Sequence, residues 1–143
     1  MLIPHPRHFP ITAADAERIL RAHGLGGLDS AQWATRGLNN PTLLVNDRYA
    51  IRFDGLEWEG RSRFYGEQIA YDLLHQHGIP APQALVVDDS RSLVPYDYLL
   101  MTQIPGTPLI EAWPTLTPAQ QERVARQAGA YLARMHNIPV AGY

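Results

Sequence analysis

The chain contains no cysteine among its 143 residues, and its formal net charge at pH 7 is only −2. The absence of cysteine excludes a disulfide framework and any metal site built on thiolates. The near balance of charges provides neither the basic surface that nucleic-acid binding requires nor a polybasic membrane patch. We therefore expect a protein that binds neither nucleic acid nor a membrane.

Long apolar stretches are also lacking. No run approaches the roughly 20 residues that a membrane-spanning helix needs, and the segment Met1–Arg7 lacks the charged and apolar regions of a secretory signal. We expect a soluble, cytoplasmic protein without an export signal. Hydrophobic residues nevertheless make up 45% of the chain, which is enough to form a packed core and excludes wholesale disorder.

Capping residues, periodicity and chain breakers predict an alternation of helices and strands. A capping box formed by Thr12 and Asp15 opens a short helix that Gly24 ends. A second capping box, Thr117 with Gln120, opens a long helix. Between them the sequence predicts, in chain order, strands at 33–36, 42–45 and 49–53, a helix at 65–77, and strands at 84–87 and 96–101.

This order predicts an α+β fold, in which a five-stranded antiparallel sheet carries a packed helix. The break Ile104–Gly106 separates the sheet from the long helix, which would begin another structural unit. We expect three parts: an N-terminal helical segment over 1–30, the sheet and its helix over 31–106, and a linker with the long helix over 107–143.

One pair of charged residues stands in apolar surroundings. A period of two places Ala50 and Arg52 on the same face of their strand. Glu67 shares a helix face with the apolar residues three, four and seven positions later. A carboxylate on such a face needs a cation or loses hydration at high cost, so Arg52 is a candidate partner. The alternative is that Glu67 lies at the edge of that face and is solvated.

Two backbone segments could recognise a ligand. The turn Gly37–Thr42 could present N–H groups and amide side chains to phosphate oxygens, although Pro41 removes one donor and an ordinary hairpin turn is the alternative. The segment Leu99–Gly106 runs from an apolar strand into a stiff break. Exposed, semi-extended backbone there could offer C=O and N–H groups to a flat heterocycle, and a plain domain linker is the alternative.

Taken in order, these features resemble the aminoglycoside phosphotransferases and related small-molecule kinases, which share the protein-kinase fold. The resemblance runs from about Trp33 to Tyr143. The stretches that carry it are Glu67–Leu74, Gly78–Pro82, Leu100–Gly106 and Leu132–His136. It implies that residues 31–106 form a protein-kinase-like N-lobe, followed by a hinge and the first helix of a C-lobe.

The resemblance also implies a role for particular residues in nucleotide binding. Arg52 resembles the cation that meets the α- and β-phosphates, where protein kinases have lysine, and Glu67 resembles the acid that holds it in place. Arginine is a bulkier, planar donor, so the phosphate geometry can differ. The other implied contacts are Ala50 over the base, Met101 at the back of the base pocket, the main chain of Thr102 and Ile104 at the base edge, and Asn39 and Asn40 in the phosphate-covering loop.

The family's chemistry lies in the C-lobe, in a catalytic loop and a following aspartate that holds Mg²⁺. None of the six histidines of this chain is followed two residues later by an aspartate. We therefore expect no catalytic and no metal-binding residue in this chain, which would be a fragment or an isolated lobe and inactive by itself. Mg²⁺ is expected only together with the C-lobe.

The leading hypothesis is the nucleotide-binding lobe of a kinase that transfers the γ-phosphoryl group of ATP or GTP to a hydroxyl group. The acceptor would be an aminoglycoside-like or other small polar molecule, bound through the C-lobe. The alternative from another class is a non-catalytic, kinase-like binding or scaffold module that associates, for example as a homo-oligomer, through its exposed lobe interface. An unrelated α+β domain is the third interpretation.

Overall fold

The computed structural model describes residues 10–34, 40–54 and 62–139. Its helices are α1 (Ala13–Ala22), α2 (Phe64–Gln76), α3 (Leu109–Ala112), which a 3₁₀ turn at Trp113–Thr115 follows, and α4 (Pro118–His136). Its strands are β1 (Ala31–Trp33), β2 (Thr42–Val45), β3 (Tyr49–Phe53), β4 (Ala84–Asp88) and β5 (Tyr98–Thr102).

The strands form one five-stranded sheet in the order β1-β2-β3-β5-β4. Every neighbouring pair is antiparallel. The last strand in sequence thus lies inside the sheet, between β3 and β4. This arrangement, with helices on its faces, confirms the predicted α+β fold class.

The alternation of side chains along the strands gives the sheet two apolar faces. On one face, Ile19 and Leu20 of α1 pack with Ile51, Phe53 and other buried strand residues. The opposite face carries a smaller buried cluster, which consists of Ala50, Phe64, Leu99 and Met101. The period-two assignment of β3 explains the division, because Ile51 and Phe53 point to one side and Ala50 to the other.

Local capping signals agree with the structure, whereas two strands begin elsewhere than predicted. Thr12 and Thr117 each cap a helix through a capping box, and Asp15 completes the first of these boxes. Burial raises the pKa of the Asp15 carboxyl, but the hydrogen bonds from Thr12 and the Arg18 guanidinium outweigh it and lower the pKa overall. β1 begins at Ala31, two residues before the predicted start, and residues 35–39 lie outside the described part of the chain. β5 begins at Tyr98, two residues after its predicted start at 96.

A chain of hydrogen bonds joins the end of α1 to two strands. The Tyr98 hydroxyl donates to Oδ2 of Asp88 over 2.9 Å and lies 2.8 Å from Nε2 of His23. Since the only hydroxyl hydrogen is used toward Asp88, the tyrosine oxygen accepts from the histidine N–H. Burial and the Asp88 carboxylate raise the pKa of Tyr98 far above its ordinary value. The loop that follows β4 supports the acceptor, because the Ser90 hydroxyl also donates to Asp88 over 2.6 Å.

The segment beyond the sheet exposes large apolar side chains. In α4 no residue is buried, and Leu132 is 52% exposed. Ile110 of α3, which the sequence did not predict as helical, is 69% exposed. Within the described residues no helix combines the length and the apolar character that crossing a bilayer requires. The core of the described structure therefore lies on the two faces of the sheet, and the C-terminal helices contribute little to it.

Candidate functional site

β3 carries the two residues around which the site is built. Ala50 and Arg52 lie on the face of the sheet opposite α1, as the period of two predicts. The antiparallel register places Arg52 between Thr42 on β2 and Leu99 on β5. The arginine therefore emerges from the middle of the sheet, where neighbouring strands on both sides restrict its stem.

Arg52 and Glu67 form an ion pair, in which Nη1 of the arginine donates to Oε2 of the glutamate. The Arg52 guanidinium also lies over the ring of Phe64, 5.8 Å from its centroid. The side chains of the pair are 25% and 32% exposed, so both are partly desolvated while part of the guanidinium faces solvent. Glu67 is thus paired rather than solvated at the edge of its helix. Two contacts from α2 fix a cation whose remaining N–H groups can meet an anion.

An apolar surface adjoins the cation on the same face. Ala50 pairs with Leu44 on β2 and with Met101 on β5, and Met101 in turn pairs with Ala84 on β4. Ala50 and Met101 are 4% and 8% exposed, so they form a floor rather than a protruding patch. Ala50 has a small side chain, and the larger Leu44 and Met101 flank it. Leu44 was not among the predicted site residues, although alternation along Thr42–Val45 places it on this face.

The end of β5 leaves backbone groups free beside this surface. The Thr102 N–H donates to Gln83 O over 2.9 Å, and the Gln103 N–H donates to Arg48 O over 2.8 Å. Beyond Gln103 the ladder ends, and the Ile104 N–H makes no hydrogen bond within the described ranges. Gly106 then adopts φ = +147°, a conformation that favours glycine and turns the chain away from the sheet.

The predicted phosphate loop is described only at its end. Asn40 lies two residues before β2, and its carbonyl accepts a hydrogen bond of 3.2 Å from the Thr42 hydroxyl. Pro41 lacks an N–H, yet its carbonyl accepts from the Phe53 N–H over 2.9 Å and extends the ladder toward Arg52. The end of the loop therefore lies beside the backbone of Arg52 in the sheet. Asn39 lies outside the described residues.

Metal ligands do not gather at this face in the described part of the chain. There, no group of three or more histidine, aspartate or glutamate side chains could hold a metal ion. What the structure brings together is one fixed cation, an apolar surface and a strand end with a free N–H group. This arrangement can bind a flat, apolar group that carries an anion.

Comparison with solved structures shows which fold this is. The streptomycin–ATP–APH(2″)-IIa ternary complex and the ADP-bound aminoglycoside phosphotransferase APH(2″)-Ib each match with a TM-score of 0.63 at 16% identity, over 91% of this chain and 41% of theirs. The gentamicin–APH(2″)-IIa complex matches with a TM-score of 0.62 at 16% identity, over 90% and 40%. The chain thus has the fold of the aminoglycoside phosphotransferase structures but spans about two fifths of their length.

The amino-acid sequence gives the same result independently of the coordinates. A profile of the phosphotransferase enzyme family matches residues 31–143. The match begins at the first residue of β1 and includes the whole sheet, α2 and α4, while α1 precedes it. Because the match covers far more than half of the chain, this protein belongs to the phosphotransferase enzyme family.

Proposed function

We propose that this chain is the nucleotide-binding lobe of a small-molecule kinase. The protein would transfer the γ-phosphoryl group of ATP or GTP to a hydroxyl of an aminoglycoside-like or other small polar acceptor. The observation that supports this most directly is the Arg52–Glu67 ion pair, because it holds a cation beside the apolar surface formed by Ala50 and Met101. Family membership and the nucleotide in two of the similar structures support the same function.

Each part of the site has a role in this proposal. Arg52 would donate to the α- and β-phosphates, and Glu67 would keep its guanidinium oriented. The base would lie against Ala50, with Met101 at the back. The remaining contacts would come from the carbonyl of Thr102 and the N–H of Ile104 at the base edge, and from Asn39 and Asn40 over the phosphates.

The chain would contribute positioning rather than chemistry. When bound, the nucleotide supplies the phosphoryl group, and the lobe orients it and offsets its charge. The catalytic base, the Mg²⁺ ligands and the acceptor contacts would come from the C-lobe of the fold. By itself the 143-residue chain should bind nucleotide weakly and transfer nothing. A cytoplasmic location, where ATP and GTP are available, belongs to the same proposal.

The test is a nucleotide titration of the full-length protein with and without Arg52. Replacing Arg52 by alanine should weaken ATP or GTP binding by roughly tenfold to a hundredfold, the effect of losing charge-assisted hydrogen bonds. Arg126→Ala is the matched control, because it removes the same charge from an exposed position on α4. If Arg52→Ala leaves both nucleotide affinity and transfer rate unchanged, the proposed role of this site is wrong.

A scaffold function is the second candidate, and the exposed apolar residues beyond the sheet favour it. Ile110 and Leu132 are 69% and 52% exposed, which is unusual for large aliphatic side chains unless another surface covers them. A binding module would use this surface to associate with a partner, including a second copy of itself. Sedimentation of the 143-residue chain distinguishes the cases. A concentration-dependent oligomer supports the scaffold, and a monomer at all concentrations contradicts self-association.

A further inference from the structure

The C-terminal end of α2 presents two carbonyl groups that lie outside the helical hydrogen-bond pattern. The Gly78 N–H donates to His75 O over 2.9 Å, and the Ile79 N–H donates to Leu74 O over 2.8 Å. These two bonds form a Schellman motif, with Gly78 in the left-handed conformation at φ = +63°. Within the described residues no backbone N–H donates to the carbonyls of His77 and Gly78, which follow the last turn of the helix. They also lie at the negative end of its dipole.

Arg134 of α4 binds these carbonyls. Its Nη2 donates to His77 O over 2.7 Å and to Gly78 O over 3.0 Å. The same guanidinium lies over the ring of Tyr131, 5.5 Å from its centroid, and this contact orients it from within its own helix. A Cβ atom at position 78 would lie 3.3 Å from Nη2, so glycine supplies both the turn and the space for the arginine. The contact joins the first long helix beyond the hinge to the helix that carries Glu67.

Along its length α2 also packs against β4, and near its C-terminal end Nε2 of His75 lies 3.2 Å from Pro82 O. Of its side chains only Phe64, at its first position, is buried. The Arg52–Glu67 ion pair holds the first half of the helix against the sheet. From Glu67 to His77 the helix rises by roughly 15 Å, so the ion pair and the Arg134 contact lie near opposite ends. A change in position at one end is therefore transmitted to the other as a tilt of one rigid rod.

We propose that Arg134 is a positioning residue that couples the helix beyond the hinge to the Arg52–Glu67 pair through α2. The proposal rests on the proposed function insofar as Arg52 is taken to meet the nucleotide. Arg134 touches neither the pair nor the apolar surface beside it. Its effect on the reaction arises because loss of this contact weakens the hold on the C-terminal end of α2. A larger tilt of the helix displaces Glu67 and leaves the Arg52 guanidinium less well oriented.

The coupling can be measured without nucleotide. In the full-length protein, Arg134→Gln should speed amide hydrogen exchange at the end of α2 by about tenfold, the effect of losing one charge-assisted contact. The NMR signal of the Arg52 Nε–H should also exchange faster with water, and Arg134→Lys should restore part of the protection. Arg126→Gln, which removes the same charge from the same helix, should change neither signal. Equal behaviour of Arg134→Gln and Arg126→Gln would overturn the proposal.

Activity provides the second measurement. Arg134→Gln should lower kcat by roughly threefold to tenfold and leave the KM for the acceptor unchanged, as expected when orientation rather than binding is lost. Gly78→Ala, which crowds the same contact from the other side, should act in the same direction. If amide exchange at the end of α2 becomes faster while the exchange of the Arg52 Nε–H and kcat stay unchanged, Arg134 only caps the helix. That result would overturn the positioning role. If the wild-type protein binds no nucleotide, the proposed function is wrong. The exchange data would still show whether Arg134 is coupled to the Arg52–Glu67 pair.

Discussion

The Arg52–Glu67 ion pair should contribute about 1–2 kcal/mol of coupling energy to folding stability. The perturbation is a double-mutant cycle with Arg52→Met, Glu67→Gln and the combined variant. Methionine retains an unbranched side chain that can pack against Phe64, and glutamine retains the shape of the glutamate. The cycle therefore isolates the charge interaction between the two side chains.

The magnitude follows from the partial burial of the pair. At an effective dielectric constant of about 20, two unit charges in contact attract each other by about 4 kcal/mol. Loss of hydration and of side-chain freedom offsets most of this attraction. Fully exposed pairs retain about 0.2–1 kcal/mol, and breaking a fully buried pair costs about 3–5 kcal/mol. Because Arg52 and Glu67 are 25% and 32% exposed, the expected value falls between these limits.

Urea unfolding of the four variants gives the coupling energy, and α4 offers a matched control. Arg126 and Glu122 form an ion pair whose side chains are 78% and 64% exposed. The same cycle there should give only about 0.3–0.5 kcal/mol. Raising the salt concentration should abolish most of this surface coupling but reduce the Arg52–Glu67 coupling less, because partial burial limits screening. A coupling at Arg52–Glu67 that is no larger than the control value would refute the reasoning.

Three further outcomes are expected. Because the pKa of Tyr98 is raised in the fold above the 10.0 of the unfolded chain, its contribution to stability is complete below pH 10.0 and declines as the pH rises above that value. Above pH 10.0 the free energy of unfolding of the wild type should therefore fall more steeply with pH than that of Tyr98→Phe, by about 1.4 kcal/mol per pH unit. Urea unfolding at several pH values measures both slopes, and equal slopes would contradict this. Thr117→Ala should cost about 1 kcal/mol through loss of the N-cap of α4, measured by thermal unfolding against Thr107→Ala at an exposed position. Ala50→Leu should place a bulky side chain on the surface beside Met101 and weaken nucleotide binding about tenfold or more in a titration, and unchanged affinity would exclude the base from this surface.

Local signals predicted the parts of the fold that depend on nearby residues. Thr12 and Thr117 correctly predicted the starts of their helices, because a cap involves only the next three residues. The start of β1 was placed too late, because Ala31 and Gln32 have little intrinsic strand preference and join the sheet only through pairing with β2. α3 was missed because four residues carry no readable period.

The same distinction applies to the site. Alternation along β3 correctly placed Ala50 and Arg52 on one face. The helix spacing left Glu67 either paired with the arginine or solvated, and the ion pair decides between the two. The contact from Arg134 to the end of α2 spans 56 and 57 positions along the chain. Neither periodicity nor a cap signal reports such a contact, because it depends on how the helix beyond the hinge is placed in space.

The position of β5 inside the sheet has a consequence for synthesis. As the chain leaves the ribosome, β1, β2 and β3 can pair with one another as soon as they emerge. The outer edge of β3 then stays open until Tyr98–Thr102 has been translated, since β5 is its other neighbour. β4 emerges earlier than β5 but has no partner in the described sheet except β5. The three paired strands therefore expose the hydrogen-bonding edge of β3 for the time needed to add about fifty residues. During that interval this edge is most prone to mispairing with other chains.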